Sequence, residues 1–281
     1  MSIIHIGIIG GGFVGKATSG FRNSKTNIHI YDLNESLCEP KGTMMKDIYK
    51  CDVVFVAVPT PMSADGSCHT TIVKNVINDL KEHHVKHIII RSTVPVGTSE
   101  ELGVKFMPEF LTEKHWKTDF YECRKWIIGL DNDEEDGFKE LMTTIINQSV
   151  KEGTLKYNNI SFCTTKEAEL IKYFRNCFLA TKIGFCNEIY HLCAKLGMNY
   201  ENVREHACDD YRIGLSHSNV PGHDGEFGFG GTCFPKDLSS LVKQFDNHAV
   251  PSPILSAVQS RNIDIDRIAQ DWKLDKGRAV V

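Results

Sequence analysis

The chain has 281 residues, of which 41 % are apolar and 24 % charged, with a formal net charge of −4. That length suits one large domain or two of ordinary size, and the apolar share is enough for a true core. The slightly acidic balance carries no basic stripe, and no apolar run approaches the roughly 20 residues that cross a bilayer, which argues against nucleic acid and membrane as partners.

The apolar segment 3–9 lacks a basic start and runs directly into glycines, so it reads as a strand and not a signal peptide. Further β-rich runs occupy 28–31, 53–58, 87–91, 104–107 and 126–128, with helical patterns such as 72–82 between them. Segment 138–146 reads as another helix and 160–162 as a last strand. This alternation predicts an α/β domain over 1–162, a parallel sheet with helices on both faces.

Gly10-Gly11-Gly12-Phe13-Val14-Gly15 follows the first predicted strand and satisfies G-x-G-x-x-G. Gly10 permits a tight turn, Gly12 lets the backbone approach a pyrophosphate, and Gly15 lets helix and strand pack closely. The helix that opens there offers free N–H groups to phosphates. Asp32 ends the second predicted strand, where a carboxylate grips a ribose 2′-hydroxyl and repels a 2′-phosphate. The domain is therefore expected to be Rossmann-like and to bind NAD rather than NADP.

Beyond residue 162 the character changes. Thr164 and Glu167 have capping-box spacing, no proline occurs from there to Leu196, and Gly197 suits a helix end. This predicts a helix of about thirty residues, roughly 45 Å long, weakened only by Gly184. A helix of that length bridges domains or forms a subunit interface. A shorter helix at 201–207, a glycine-rich loop at 209–232, a helix opened by Pro235 and a last helix over 253–271 follow. The expectation is an all-helical central, dimerising domain over 163–265, with 266–281 as a tail.

The ten cysteines include no C-x-x-C pair and are spread along the predicted elements. That fits neither a disulfide framework nor a zinc site, so they read as thiols in a reducing cytoplasm. His217, His223 and Asp224 share one loop, but isolated loop histidines are usually solvated, and no metal is expected. Cys233 stands apart: it sits between Gly228-Phe229-Gly230-Gly231 and the helix N-terminus at Pro235, beside Lys236. A helix N-terminus and a neighbouring cation favour thiolate, the nucleophilic form.

The segment from Gly228 to Asp237 resembles the signature loop of the UDP-glucose/GDP-mannose dehydrogenase family. Other stretches resemble family motifs in the same order: Val58-Pro59-Thr60-Pro61, Ser92-Thr93-Val94-Pro95, Pro108-Glu109-Phe110-Leu111-Thr112-Glu113, the helix through Lys172 and Asn176, Asn187-Glu188 and Arg212-Ile213-Gly214. The resemblance implies oxidation of a nucleotide sugar to an acid with two NAD⁺, UDP-glucose to UDP-glucuronate first among the candidates. It implies that Cys233 captures the aldehyde as a thiohemiacetal, later a thioester. Lys172 and Asn176, at i and i+4 on one helix face, suit two donors aimed at one oxyanion. Asp237 is implied to manage protons or water near the sulfur, and Thr93 and Glu113 to position water and assist thioester hydrolysis. NAD is implied to contact Gly10, Gly12, Phe13, Val14, Gly15, Asp32, Val58, Pro59, Thr60, Thr93, Glu113 and Lys236. The sugar nucleotide is implied to meet Glu109, Phe110, Leu111, Lys172, Asn176, Phe229 and Gly230, with Arg212 reaching from a neighbouring subunit of a homodimer built on the long helix.

Three departures from the family pattern stand out. Segment 273–281 resembles the first strand of the family's third domain, which the chain is then expected to lack. The stretch between Asp32 and Val53 is short, and the loop from Gly214 to Gly228 is expanded. Two other readings remain open: a non-catalytic relative that binds NAD or a nucleotide sugar, and a β-hydroxyacid-type dehydrogenase, which shares the plan but has no use for Cys233.

Overall fold

The computed structural model describes residues 3–131 and 136–281. The chain divides into two compact units, one of residues 1–60 and 70–172, the other of 61–69 and 173–281.

The first unit is built on a seven-stranded sheet in the order β2-β1-β3-β4-β5-β6-β7. Its strands are β1 (Ile4–Ile9), β2 (Thr26–Tyr31), β3 (Val53–Val56), β4 (Ile88–Ile90), β5 (Lys105–Phe106), β6 (Trp126–Gly129) and β7 (Ile160–Cys163). Every residue of β3, β4 and β6 is buried, as expected of parallel-type strands covered on both faces. The predicted parallel sheet holds with one exception: β6 pairs antiparallel with β5, and β7 then runs parallel to β6.

Its helices are α1 (Phe13–Thr18), α2 (Met45–Ile48), α3 (Thr71–Glu82), α4 (Thr98–Glu101), α5 (Trp116–Tyr121), α6 (Asp136–Lys151) and the first turns of α7 (Thr165–Leu196). One face of the sheet buries Phe21, Phe120, Trp126, Phe138 and Ile145, and the other buries Val73, Ile77, Leu80 and Ala168. Helices on both faces are what the strand–helix alternation predicts. The order reverses at β1, with β2 on one side and β3 on the other. At such a switch point, the carboxyl ends of two strands leave a crevice for a ligand. The glycine turn occupies it: Gly10 has φ +102°, and a Cβ there would lie 2.3 Å from Ala57 O.

α7 starts with the predicted capping box. Thr164 N–H donates to Glu167 at 2.8 Å, and Glu167 N–H donates to Thr164 Oγ1 at 3.3 Å. Asp131 adds two bonds to Thr165. Gly197, at φ +67°, lies just past the helix end as its sequence position suggests.

From Tyr173 onward α7 belongs to the second unit, with α8 (Tyr200–Cys208), α9 (Phe234–Asn247) and α10 (Pro253–Arg261). Gly184 is buried, and a Cβ there would meet Val258 of α10 at 3.6 Å, so the glycine sits at a close helix crossing. The last helix is shorter than the predicted 253–271. After Arg261 the chain widens into a π-turn (Asn262–Asp266) that ends when Arg267 N–H bonds Asn262 O. The Arg267 guanidinium then turns to Asp271 and Asp224, and Asn262 spends its amide on Phe229. These side-chain commitments, invisible in helical periodicity, end the helix. Segment 273–281 likewise contains no strand of its own. A short 3₁₀ turn covers Asp271–Leu274, and Val280 makes isolated bridges to Met62 and Lys276.

The glycine turn makes a testable contrast. A Cβ at Gly15 would lie 1.8 Å from Gly10 O, while one at Gly12 meets nothing within 4 Å. Gly15→Ala is expected to cost about 3 kcal/mol or more through overpacking against backbone and to lower the thermal midpoint by several degrees. Gly12→Ala should leave it unchanged, as followed by circular dichroism.

Candidate functional site

The cofactor end lies within the first unit. Gly11 N–H donates to Asp32 Oδ2 at 2.6 Å, and Asn34 N–H donates to Oδ1 at 2.8 Å. The carboxylate predicted to hold a ribose is thus fixed against the glycine turn. The first turn of α1 carries no acidic side chain, and Gly12 precedes it as a bare N-cap. Open space beside Gly12 and N–H groups at a helix start suit a pyrophosphate. These features fit NAD. Val58 is half-buried, Pro59 exposed and Thr60 buried, all just after β3. Ser92 Oγ ties the next loop to this one by donating to Val58 O at 2.6 Å, and Thr93 beside it is buried.

A buried ion pair follows the sheet on the same unit. Lys172 Nζ donates to Glu109 Oε1 at 2.6 Å and to Glu109 O at 2.7 Å, with side-chain exposures of 3 % and 6 %. Leu111 N–H takes the other carboxylate oxygen, and the Lys172 ammonium stands 5.7 Å from the Phe110 ring centroid. Burial pushes the Glu109 carboxyl up, but Lys172, the Leu111 N–H and Arg91 outweigh it and hold it below the usual carboxylate range. Glu113, expected near the chemistry, is exposed.

Two residues here were missed by the sequence reading. Arg91 is 2 % exposed, with Nε and Nη1 lacking hydrogen-bond partners among the described residues. Burial lowers its guanidinium to about 10, partly offset by Glu109. Glu169, fully buried, accepts from Gly97 N–H at 2.6 Å and from Ser99 N–H at 2.8 Å, and burial raises its carboxyl to about 7. It anchors the loop that begins at Ser92-Thr93. The only sequence signals were a cation directly before that motif and an acid one helical turn before Lys172.

The cysteine end lies within the second unit. Cys233 is the N-cap of α9 and Pro235 stands in its first turn. Asp237, 1 % exposed, accepts Asn176 Nδ2 at 2.6 Å on one oxygen and Lys236 Nζ at 2.5 Å on the other. Burial draws the Lys236 ammonium down, but Asp237, Cys233 and Cys68 more than offset it, and its pKa rises. The loop before the cysteine is held by amides: Asn262 exchanges two bonds with Phe229, and Asn187 Oδ1 accepts Gly228 N–H at 3.2 Å. A Cβ at Gly230 would lie 2.6 Å from the Arg267 guanidinium, so a larger residue there would displace that side chain from its bonds to Asp224 and Asp271. Arg212 takes no part in this cluster's hydrogen bonds among the described residues. It is exposed and pairs with Asp210 on a turn whose carbonyls at 213, 214 and 216 accept Lys182 Nζ at 2.9, 2.7 and 2.5 Å. All ten cysteines are thiols outside any disulfide, and no cluster of metal-ligating side chains occurs among the described residues.

The first unit holds a glycine crevice and a buried lysine–glutamate pair, the second a cysteine at a helix start and a buried aspartate one turn on, and comparison with known proteins gives the chain a class. Residues 40–150 match the NAD binding domain of the UDP-glucose/GDP-mannose dehydrogenase family, and 166–264 match that family's central domain. The chain belongs to this family, and its cofactor is NAD. It is 32 % identical over 231 residues to UDP-glucose 6-dehydrogenase of Rickettsia typhi, covering 77 % of this chain and 50 % of that protein. The enzyme of the same name from Pseudomonas aeruginosa is 32 % identical over 241 residues, covering 79 % and 50 %. The structure of a UDP-glucose dehydrogenase from Pyrobaculum islandicum superposes with a TM-score of 0.77 at 26 % identity, covering 92 % of this chain and 68 % of that one. The chain spans about half the length of the curated relatives it matches.

The Lys172–Glu109 pair sets an acid limit. A carboxyl held below its unfolded value contributes stability above the ordinary carboxylate pKa and loses it as pH falls through the folded value. Glu109→Gln strands a buried ammonium and is expected to cost roughly 3–5 kcal/mol at neutral pH. Thermal melts across the acid range should show the wild type falling below about pH 4.3 and converging on the variant.

Proposed function

We propose that this chain is an NAD-dependent dehydrogenase of nucleotide sugars, with UDP-glucose the leading substrate and the uronate the product. The observation that carries the reading is the Cys233–Asp237–Asn176–Lys236 cluster at the start of α9. Gly10, Gly12, Phe13, Val14, Gly15 and Asp32 would hold NAD, with Val58, Pro59, Thr60, Thr93, Glu113 and Lys236 around it, and the cofactor would supply the hydride acceptor for each of two oxidations.

The chain's own residues do the rest. Glu109, Phe110, Leu111, Phe229 and Gly230 orient the sugar nucleotide. Cys233 sulfur adds to the carbon of the first-formed aldehyde, and the carbonyl oxygen gains the charge. Lys172 and Asn176 donate N–H bonds to that oxygen, an electrostatic contribution of roughly 10²–10³-fold per donor. Asp237 keeps Asn176 oriented and takes a proton during attack. Thr93 and Glu113 hold the water that cleaves the thioester and releases the acid.

The reading includes a homodimer with Arg212 completing the partner's sugar site. Phe174, Phe178, Phe185, Leu192 and Leu196 recur at helical spacing along α7 and are exposed, an apolar stripe of the kind that marks association. No helix among the described residues is long and apolar enough to cross a membrane, and a reducing cytoplasm suits the ten thiols. The domain reading stays at 1–162, 163–265 and a tail from 266.

NADH absorbance should rise when purified protein meets NAD and UDP-glucose, and Cys233→Ser should lower the rate by at least about 100-fold. NAD binding by calorimetry, with silence toward UDP-glucose, GDP-mannose and N-acetylated UDP-sugars alike, would leave a binding protein instead. Light scattering should give a dimer that Phe178→Asp converts to monomer.

A further inference from the structure

The segment after β4 is pinned at both ends, and both pins lie within the first unit. At its start the N–H groups of Arg91 and Ser92 donate to Val56 O at 2.8 and 3.3 Å, and Ser92 Oγ donates to Val58 O at 2.6 Å. That end is thereby tied to the turn after β3 that carries the predicted cofactor contacts Val58, Pro59 and Thr60. At its far end Glu169 of α7 accepts Gly97 N–H on one carboxylate oxygen at 2.6 Å and Ser99 N–H on the other at 2.8 Å. Between the pins, Thr98 reaches Pro95 O with its N–H at 3.1 Å and its hydroxyl at 2.6 Å. Thr93, Val94, Thr98 and Ser99 are buried. Segment 92–99 therefore has little slack, and a shift at Gly97 passes through the Pro95–Thr98 turn to Val94 and Thr93.

Glu169 itself is fully buried. The charged groups that face it are Asp131 at the end of β6, Lys166 on its own helix and Glu100 of α4. The lysines three residues to either side are spent elsewhere: Lys166 pairs with Glu100 at 2.5 Å and Lys172 with Glu109 at 2.6 Å. Asp131 is taken up by Thr165. Backbone N–H groups of the loop thus carry the task of holding the Glu169 charge. Burial raises this carboxyl to about 7, against the pull of the Ser99 and Gly97 donors and with a small push from Asp131. A proton on either oxygen makes that oxygen a donor, and the N–H facing it loses a charge-assisted bond.

We propose that Glu169 is a positioning residue for the cofactor: its ionised carboxylate holds segment 92–99 in the arrangement that receives NAD, and a proton taken up there loosens the Gly97–Ser99 end and weakens NAD binding. Its action is indirect, through Thr93 and through Ser92, which fixes Val58. The inference rests on the proposed placement of Thr93 and Val58 beside NAD. No bond other than O–H changes: NAD selects the ionised form, and the proton leaves Glu169 for solvent. By reciprocity, affinity for NAD falls as pH drops through the neutral range.

Two measurements on the full chain test this. In the free protein, NMR follows the amide protons of Gly97 and Ser99 through neutral pH. Both are expected to titrate together with a midpoint near 7, and neither should titrate in Glu169→Gln. Calorimetry of NAD binding at neutral pH, in buffers of low and high ionisation enthalpy, counts the protons released. The wild type should release a fraction of a proton and bind NAD about 5-fold or more tightly on the alkaline side of the titration than on the acid side. Glu169→Gln should show the acid-side affinity at every pH and release no proton. Amide signals that stay still through neutral pH, NAD binding by wild type without a linked proton, or the same proton release from Glu169→Gln would overturn the inference and leave the cofactor site standing. The first two of these need no variant, so a Glu169→Gln chain that fails to fold does not protect the inference. A wild type without affinity for NAD overturns the cofactor-site reading, and this inference with it.

Discussion

Asp237 is almost wholly buried, and its two oxygens face different donors, Asn176 Nδ2 at 2.6 Å from α7 and Lys236 Nζ at 2.5 Å from α9. A buried carboxylate without partners costs several kcal/mol, so neither donor can be released cheaply. The consequence is geometric. Asn176 is held in one rotamer on the long helix, Lys236 is turned away from bulk water, and the N-terminus of α9 is fixed against α7. Cys233, the cap of that helix, inherits this placement. Amide clamps from Asn187 and Asn262 fix the loop leading into it, so the sulfur is approached from both chain directions by rigid elements. Preorganisation of this kind is what makes a few hydrogen bonds effective in catalysis.

The first unit uses the same device with the charges reversed. There a buried ammonium, Lys172, is the central group and Glu109 supplies both a carboxylate and a carbonyl. Lys172 first, then the Leu111 N–H, and least of all the buried Arg91 guanidinium, hold the Glu109 carboxyl below the usual range despite burial. α7 is the common source: Glu169 holds the loop at Gly97 and Ser99, Lys172 holds Glu109, and Asn176 holds Asp237. Three polar side chains spaced along two helical turns are each spent on a different loop or helix. That explains how a helix of modest amphipathicity is specified without an apolar stripe on every face.

Much of this was legible in the residues. The glycine turn, the strand alternation, the capping box at Thr164 and the length of α7 are local properties, and local rules found them. Asp32 and Gly12 stand out in the sequence because phosphate and ribose recognition impose fixed positions on a βαβ unit, and the structure ties Asp32 to the glycine turn. What local rules missed were side chains whose partners are distant in sequence. Glu169 and Arg91 look like surface residues until tertiary contacts bury them. Lys172 was read as a donor toward substrate, and its pairing with Glu109 across 63 positions had no sequence signal. The last helix was drawn too long because Asn262 and Arg267 break it through bonds to Phe229, Asp224 and Asp271. The antiparallel pairing of β6 was missed because a buried strand reads the same in either direction.

The most direct measurement is rapid quenching of the protein during turnover with NAD and UDP-glucose, followed by mass spectrometry of the peptide that contains Cys233. The account predicts a transient mass increase equal to the uronyl nucleotide on that peptide alone, released by hydroxylamine as a thioester is. Steady turnover with Cys233 unmodified at every time, or the same adduct on a different residue, would contradict it.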